Sequence, residues 1–178
     1  MRYLIVDLEC TCWAKQDPDM QFHETIEIGA VLLDENFNIT SEFNEFVRPT
    51  FFPNLSEYCL ELTSITQRDV DRAHKFPSVY TRFLEWSGDI DDLIFVSWGE
   101  FDLKQLQKDC SRNLVDFKLD NKKFINAKNK FASVLKHKRC GLQKAVRICQ
   151  LEFEGAPHRG INDAKMVAKV FKIIMEKG

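Results

Sequence analysis

The opening run Tyr3-Leu-Ile-Val-Asp7-Leu-Glu9 sets two carboxylates two residues apart inside a strand-like apolar segment. Side chains at i and i+2 of a strand share a face, so Asp7 and Glu9 address one region of space. Carboxylates crowded together are costly unless a cation neutralises them. The fold must therefore bring that face to water or to positive charge. Two later segments carry the same chemistry: Ser97-Trp-Gly-Glu-Phe-Asp102 and His158-Arg-Gly-Ile-Asn-Asp163. Together Asp7, Glu9, Asp102 and Asp163 form a hard-oxygen donor set for two Mg²⁺ or Mn²⁺ ions, with His158 as the base beside them. Asp7-x-Glu9 alone reads nearly as well as a surface pair on an edge strand; the two distant segments separate the readings.

Periodicity places these residues on elements. Tyr3–Thr11, Thr25–Leu33 and Ile39–Arg48 read as three strands, the last two joined by the polar turn Asp34-Glu-Asn-Phe-Asn38 and the third ended by Pro49. Such a hairpin-like series predicts an antiparallel portion of a sheet. Leu55–Leu62 and Gln67–Ala73 read as short helices, and Phe76–Trp86 as a longer one with Pro77 near its start. Leu93–Trp98 reads as a buried strand, followed by a helix over Asp102–Cys110. A carboxylate at that strand-to-helix junction is held by the helix dipole and free N–H groups. Lys128–His137, Leu142–Cys149 and Asp163–Glu176 read as further helices, while the Lys-rich stretch 121–130 is either a loop or a helix start. A mixed sheet with helices on both faces accommodates this order.

The 178 residues suit a single domain, 1–178, with a sizeable core. No apolar run reaches the roughly 18 residues of a membrane span, and the first is too short for a signal peptide. The six cysteines follow no disulfide or zinc framework, so free thiols in an intracellular, cytoplasmic setting are expected. Charge is divided along the chain. Residues 1–103 hold 7 Lys and Arg against 20 Asp and Glu, a net of −13, whereas 104–147 hold 13 against 3, a net of +10. The acidic part concentrates metal-binding groups, and the basic part can guide a phosphate backbone toward them or simply solvate helices.

Within the acidic set, Asp7 is the best bridge between metals because a core strand fixes it. Glu9 shares its face, Asp163 opens the last helix, and Asp102 arrives from another strand end. His158 precedes a helix that anchors Asp163, and an imidazole pKa near 6.5 suits it to take a proton from water. His23, His74 and His137 have no comparable setting. Arg159 fits a phosphate contact and an ordinary salt bridge equally well.

The set Asp7-Leu-Glu9-Cys-Thr11, Trp98-Gly-Glu-Phe-Asp102 and His158-x₄-Asp163 resembles the DEDDh class of 3′→5′ exonucleases. Glu24-Thr-Ile-Glu-Ile-Gly-Ala-Val-Leu-Leu33, Phe46-Val-Arg-Pro49, Leu62-Thr-Ser-Ile-Thr-Gln67 and Val70-Asp-Arg-Ala73 extend the resemblance to the Eri-1-like, histone-mRNA 3′ exonuclease and KapD-type branch, over about residues 3–175. The resemblance implies an α/β, RNase H-like fold with a central five-stranded mixed sheet flanked by helices. It assigns the two metals to Asp7, Glu9, Asp102 and Asp163, and the general base to His158. It implies 5′-mononucleotides released stepwise from a free 3′ end, with RNA as partner and no membrane. Phe101 falls where this branch stacks a terminal base. Glu9, Cys10 and Thr11 stand where the terminal nucleotide is met, His158 also faces it, and Leu62 and Ile65 wall its base. Ser64 replaces a glycine common in the family. The histone-mRNA member carries an additional nucleic-acid-binding module, whereas this chain opens almost at the first strand, so its natural RNA does not follow. Lys104, Lys108, Arg112, Lys122, Lys123, Lys128 and Lys130 are candidate contacts to the trailing backbone. Activity mainly on DNA, and a non-catalytic nucleic-acid-binding module, are the alternatives.

Overall fold

The computed structural model describes residues 1–14, 22–120 and 122–178. Strands β1 (Arg2–Cys10), β2 (Thr25–Leu33) and β3 (Ile39–Arg48) form an antiparallel meander. The turn between β2 and β3 closes on Asp34, whose carboxylate accepts from the N–H groups of Asn36 and Asn38. Every residue of β2 is buried, which is why Thr-Ile-Glu-Ile-Gly-Ala-Val-Leu-Leu shows no polar alternation: both faces of a central strand are covered. Strand β5 (Leu93–Ser97) adds parallel to β1, and β6 (Phe124–Asn126) adds parallel to β5.

The expected five strands become six. His74–Lys75 forms a two-residue strand, β4, parallel to Val47 and Arg48, and the sheet order is β4-β3-β2-β1-β5-β6. Neither β4 nor β6 is long enough to show a period, so neither was legible from alternation. Of the Lys-rich stretch 121–130, Asn121 lies outside the described residues; Lys122 and Lys123 form a turn, followed by β6 and then a helix.

Helices α1 (Glu57–Thr63) and α2 (Gln67–Arg72) lie beyond β3, and Thr66 with Asp69 makes a capping box that starts α2. Two layers then enclose the sheet. On one side α3 (Phe76–Ser87) and α4 (Phe101–Arg112) pack Phe76, Val79, Tyr80, Phe83, Leu103 and Leu106 onto Leu4, Val6 and Leu8 of β1. On the other, α5 (Ala127–Val134), α6 (Leu142–Ile148) and α7 (Gly160–Lys177) cover Ile5, Val31, Leu33 and Val96. No helix among the described residues is long and apolar enough to cross a membrane.

The topology leaves one opening. Pairing of β5 with β1 ends at Ile5 opposite Val96, so β1 runs on through residues 7–9 without a strand on that side. Crevices beyond the carboxyl ends of parallel strands are where α/β sheets place ligands.

Candidate active site

Asp7 and Glu9 sit on the face of β1 that also carries Ile5, toward α7, with Gly29 and Glu27 as their β2 register partners. Across the opening, Asp102 stands in the first turn of α4. Its Oδ1 accepts from the Leu8 N–H at 3.1 Å, satisfying a donor that β5 no longer reaches. Asp163 stands in the first turn of α7, where the dipole favours negative charge. One donor atom each of Glu9, His158 and Asp163 lie within 4.8 Å of one another. The four acids and the histidine therefore meet around one stretch of β1, although they come from three distant parts of the chain.

His158 has a left-handed backbone, φ 60°, and donates its N–H to Asp163 Oδ2 at 3.2 Å. A non-glycine residue held there stores conformational strain, of the sort that clusters at functional sites. Below it lies a network that nothing in the sequence pattern announced. Glu27, 0% exposed, accepts a two-pronged contact from the Arg159 guanidinium and a 2.9 Å bond from the Gly160 N–H. Arg159 is thus committed to this ion pair rather than free for phosphate. Glu27 clamps the start of α7 to β2 beside Glu9, and only its position one face-step before Gly29 on a buried strand could have signalled it.

Electrostatics make the cluster unstable as free acids. Burial, then Asp102, Asp163, Glu9 and Glu27, push the Asp7 carboxyl well above its ordinary range. Glu9, 9% exposed, rises to about 8 through burial and then Asp163, Glu27 and Asp102. Asp102 and Asp163 both rise to about 6, chiefly by burial, with hydrogen bonds from Leu8 and His158 opposing it. Among the described residues, Asp163 Oδ1 is buried with no hydrogen-bond partner. Mutually repelling carboxylates with an orphaned oxygen fit hard divalent cations.

This arrangement has a pH signature. For each of these acids the folded pKa exceeds the unfolded one, so the native state binds more protons between about pH 4 and 8, and stability falls as pH rises through that window. Metal-free protein should lose roughly 3 °C of melting temperature per pH unit between pH 6 and 8, for about one net proton. Millimolar Mg²⁺ or Mn²⁺, or Glu9→Gln, should flatten the slope. A melting temperature that climbs with pH in chelator would contradict the crowding.

The residues expected to meet a terminal nucleotide divide. Phe101 is 49% exposed beside Asp102, which removes core packing as its role, and its ring meets His23 edge-on at 5.9 Å. His23, expected to be incidental, also holds the Thr11 carbonyl at 2.6 Å. Thr11 gives its N–H to the Glu24 carbonyl and its hydroxyl accepts from the Glu24 N–H, so these groups close a loop instead of facing a ligand. The Cys10 side chain points into the core on the α4 side, and its carbonyl accepts from the Cys59 thiol. Ile65 is wholly buried with Ile26, Leu55, Cys59 and Val70, whereas Leu62 is half-buried. Ser64 caps α1 at φ 57°, the left-handed conformation that favours glycine.

The RNase T family model, described as exonuclease, matches residues 4–171. Among curated proteins, 3′-5′ exoribonuclease 1 of Rattus norvegicus is 31% identical over 98% of this chain and 53% of its own length. The 3′-5′ exonuclease Snipper of Drosophila melanogaster is 32% identical over 91% of this chain and 65% of its own. The chain thus spans about half to two-thirds of these relatives. The nuclease domain of 3′hExo, a DEDDh family member bound to rAMP, superposes with a TM-score of 0.90 at 30% identity, covering 99% of this chain and 92% of that one. The 3′-exonuclease in a structure of histone mRNA stem-loop recognition superposes at 0.89 with 27% identity, covering 99% and 64%.

Proposed function

Because the chain belongs to the RNase T exonuclease family, we propose that it is a 3′→5′ exoribonuclease that removes nucleoside 5′-monophosphates from single-stranded or overhanging RNA. One observation carries this reading: Asp7, Glu9, Asp102 and Asp163 converge on a single open stretch of β1, with an unpartnered Asp163 oxygen and His158 alongside. The family is divalent-metal dependent, and two Mg²⁺ or Mn²⁺ ions held by these four acids are the proposal for this chain. When bound, such ions lower the pKa of water and stabilise charge on attacking and leaving oxygens.

The remaining work falls to the protein's own groups. His158 accepts the proton of the attacking water at an imidazole nitrogen, on the Glu9 and Asp163 side of the cluster. The strained bend and the Asp163 bond hold its backbone in place. Phe101 offers its exposed ring to a base; stacking is sequence-tolerant and contributes roughly 1–3 kcal/mol per base. Glu9 meets the terminal nucleotide, and the half-buried Leu62 is the remaining candidate for the wall of its base. Residues 1–178 act as one domain in this proposal, and the six unpaired cysteines suit a cytoplasmic setting.

Labelled RNA and DNA strands of equal sequence, linear and circular, test the reading. Linear RNA should shorten one nucleotide at a time from its 3′ end, giving 5′-monophosphates, only with divalent metal. Circles cut as fast as linear strands, or products bearing 3′-phosphates, would reject it. Faster shortening of DNA would select the DNA-directed alternative, which uses the same four acids and histidine.

A further inference from the structure

The basic charges of the middle segment are not equally available. Lys104 pairs with Glu100, Arg112 with Asp109 and Lys118 with Asp116, while Lys123 donates to the Asp91 carbonyl. Three of the seven cations expected to meet a nucleic-acid backbone, Lys104, Arg112 and Lys123, are thus already engaged. Lys128 makes no ion pair among the described residues and is half-buried in the first turn of α5.

Its position follows from the sheet. β6 pairs with the end of β5, Asn126 opposite Ser97, so α5 begins beside the strand end that leads to Asp102. Gly99, at φ 132°, leaves that corner without a side chain, and an added Cβ would meet the Lys128 Nζ at 3.6 Å. The ammonium therefore stands over the β5–α4 turn. Gly99 stands three residues before Asp102, in the turn that opens α4, so Lys128 flanks the cluster on its Asp102 side.

That side has a chemical identity. In an in-line displacement the attacking and leaving oxygens lie opposite each other. With the base among Glu9, His158 and Asp163, the leaving 3′-oxygen lies toward Asp102, and it belongs to the nucleotide that remains on the strand. Beyond Lys128, the exposed loop of Lys136, Lys138 and Arg139 is tied to the same corner, since Trp98 Nε1 donates to the Cys140 carbonyl at 3.1 Å. These three also make no ion pair among the described residues.

Resting on the exonuclease reading, we infer that Lys128 receives the phosphate immediately 5′ of the scissile one, and that the Lys136–Arg139 loop carries the backbone onward. The inference fixes the direction in which the retained strand leaves the site.

A dinucleoside monophosphate, ApA, holds only the scissile phosphate, and ApApA adds the one assigned to Lys128. The wild type should gain in kcat/KM between them, and Lys128→Ala should lose about tenfold of that gain, mostly in KM, with Lys128→Arg restoring it. Binding of a fluorescent A₁₀ strand in chelator gives a readout without turnover: its log–log salt slope should fall by about 0.7 in Lys128→Ala. An equal gain in both proteins, an equal loss on both substrates, or an unchanged salt slope would overturn the inference. If the wild type releases no nucleotide at all, the exonuclease reading fails, while the salt slope still decides whether Lys128 meets a phosphate.

Discussion

Asp7→Asn is expected to slow nucleotide release by on the order of 10³-fold or more, and at the same time to raise the melting temperature of the metal-free protein by a few degrees. The two effects share one cause. Asp7 is wedged on β1 among Asp102, Asp163, Glu9 and Glu27, and burial with their repulsion holds its carboxyl well above the ordinary range. An amide keeps the shape of the side chain and leaves the register opposite Gly29 intact, but it cannot ionise, so this position no longer has to take up a proton or bear repulsion on folding. Without metal that relieves repulsion. With metal, on the two-ion proposal, it deletes the ligand assigned to both ions. Release of labelled mononucleotide and thermal melts in chelator check the two halves separately. Retention of more than a tenth of the wild-type rate would undo the assignment of Asp7, and a lower melting temperature would undo the argument from crowding.

Gly29→Ala should be the most damaging single methyl in the chain. A Cβ built on Gly29 falls 1.9 Å from the Gly160 carbonyl carbon and 2.1 Å from the Ile161 nitrogen. Both are backbone atoms at the start of α7, so no rotamer can relieve the clash; the helix must lift. That helix buries Val167, Phe171 and Ile174 against the sheet, and its first turns carry Asp163 just after His158. Overpacking of a core typically costs 1–3 kcal/mol, and a backbone collision belongs at or above about 3 kcal/mol. Displacement of two site residues by even about 1 Å predicts a further loss of about 10²-fold in rate. Urea unfolding should show a lower midpoint with an unchanged slope, and activity measured at low temperature, where the variant is folded, should still be depressed. Wild-type behaviour in both would mean that α7 does not press on β2 as described. Gly160 guards the same contact from the other side, since a Cβ added there would stand 2.9 Å from the Asp7 carbonyl oxygen.

Much of this was legible along the chain. The three early strands and most helices announce themselves by local pattern: Thr25–Leu33 and Ile39–Arg48 appear at their expected bounds, and α7 begins three residues earlier than its apolar stripe suggests. The shared face of Asp7 and Glu9 follows from strand geometry alone. The misses have a common origin. β4 and β6 hold two and three residues, too few to show a period, and exist because neighbouring strands offer free edges. Glu27 looks like one more polar residue in a strand until Arg159 and Gly160, more than 130 residues later, close on it. Thr11 looks free until Glu24 and His23 take its polar groups. Lys104, Arg112 and Lys128 are alike in sequence, and only their neighbours separate the paired from the unpaired.

The sequence by itself determined which chemistry this protein can offer: hard oxygen donors in a strand and at two helix starts, an imidazole near one of them, and an aromatic ring beside another. It did so because side-chain type and strand or helix period are properties of adjacent residues. Only the tertiary structure decided where that chemistry becomes usable. Convergence of β1, α4 and α7, the left-handed turn at His158, and the pressure of Gly160 on Gly29 depend on contacts between residues far apart in the chain. So do the raised carboxyl pKa values, since burial and mutual repulsion exist only once those distant segments have packed.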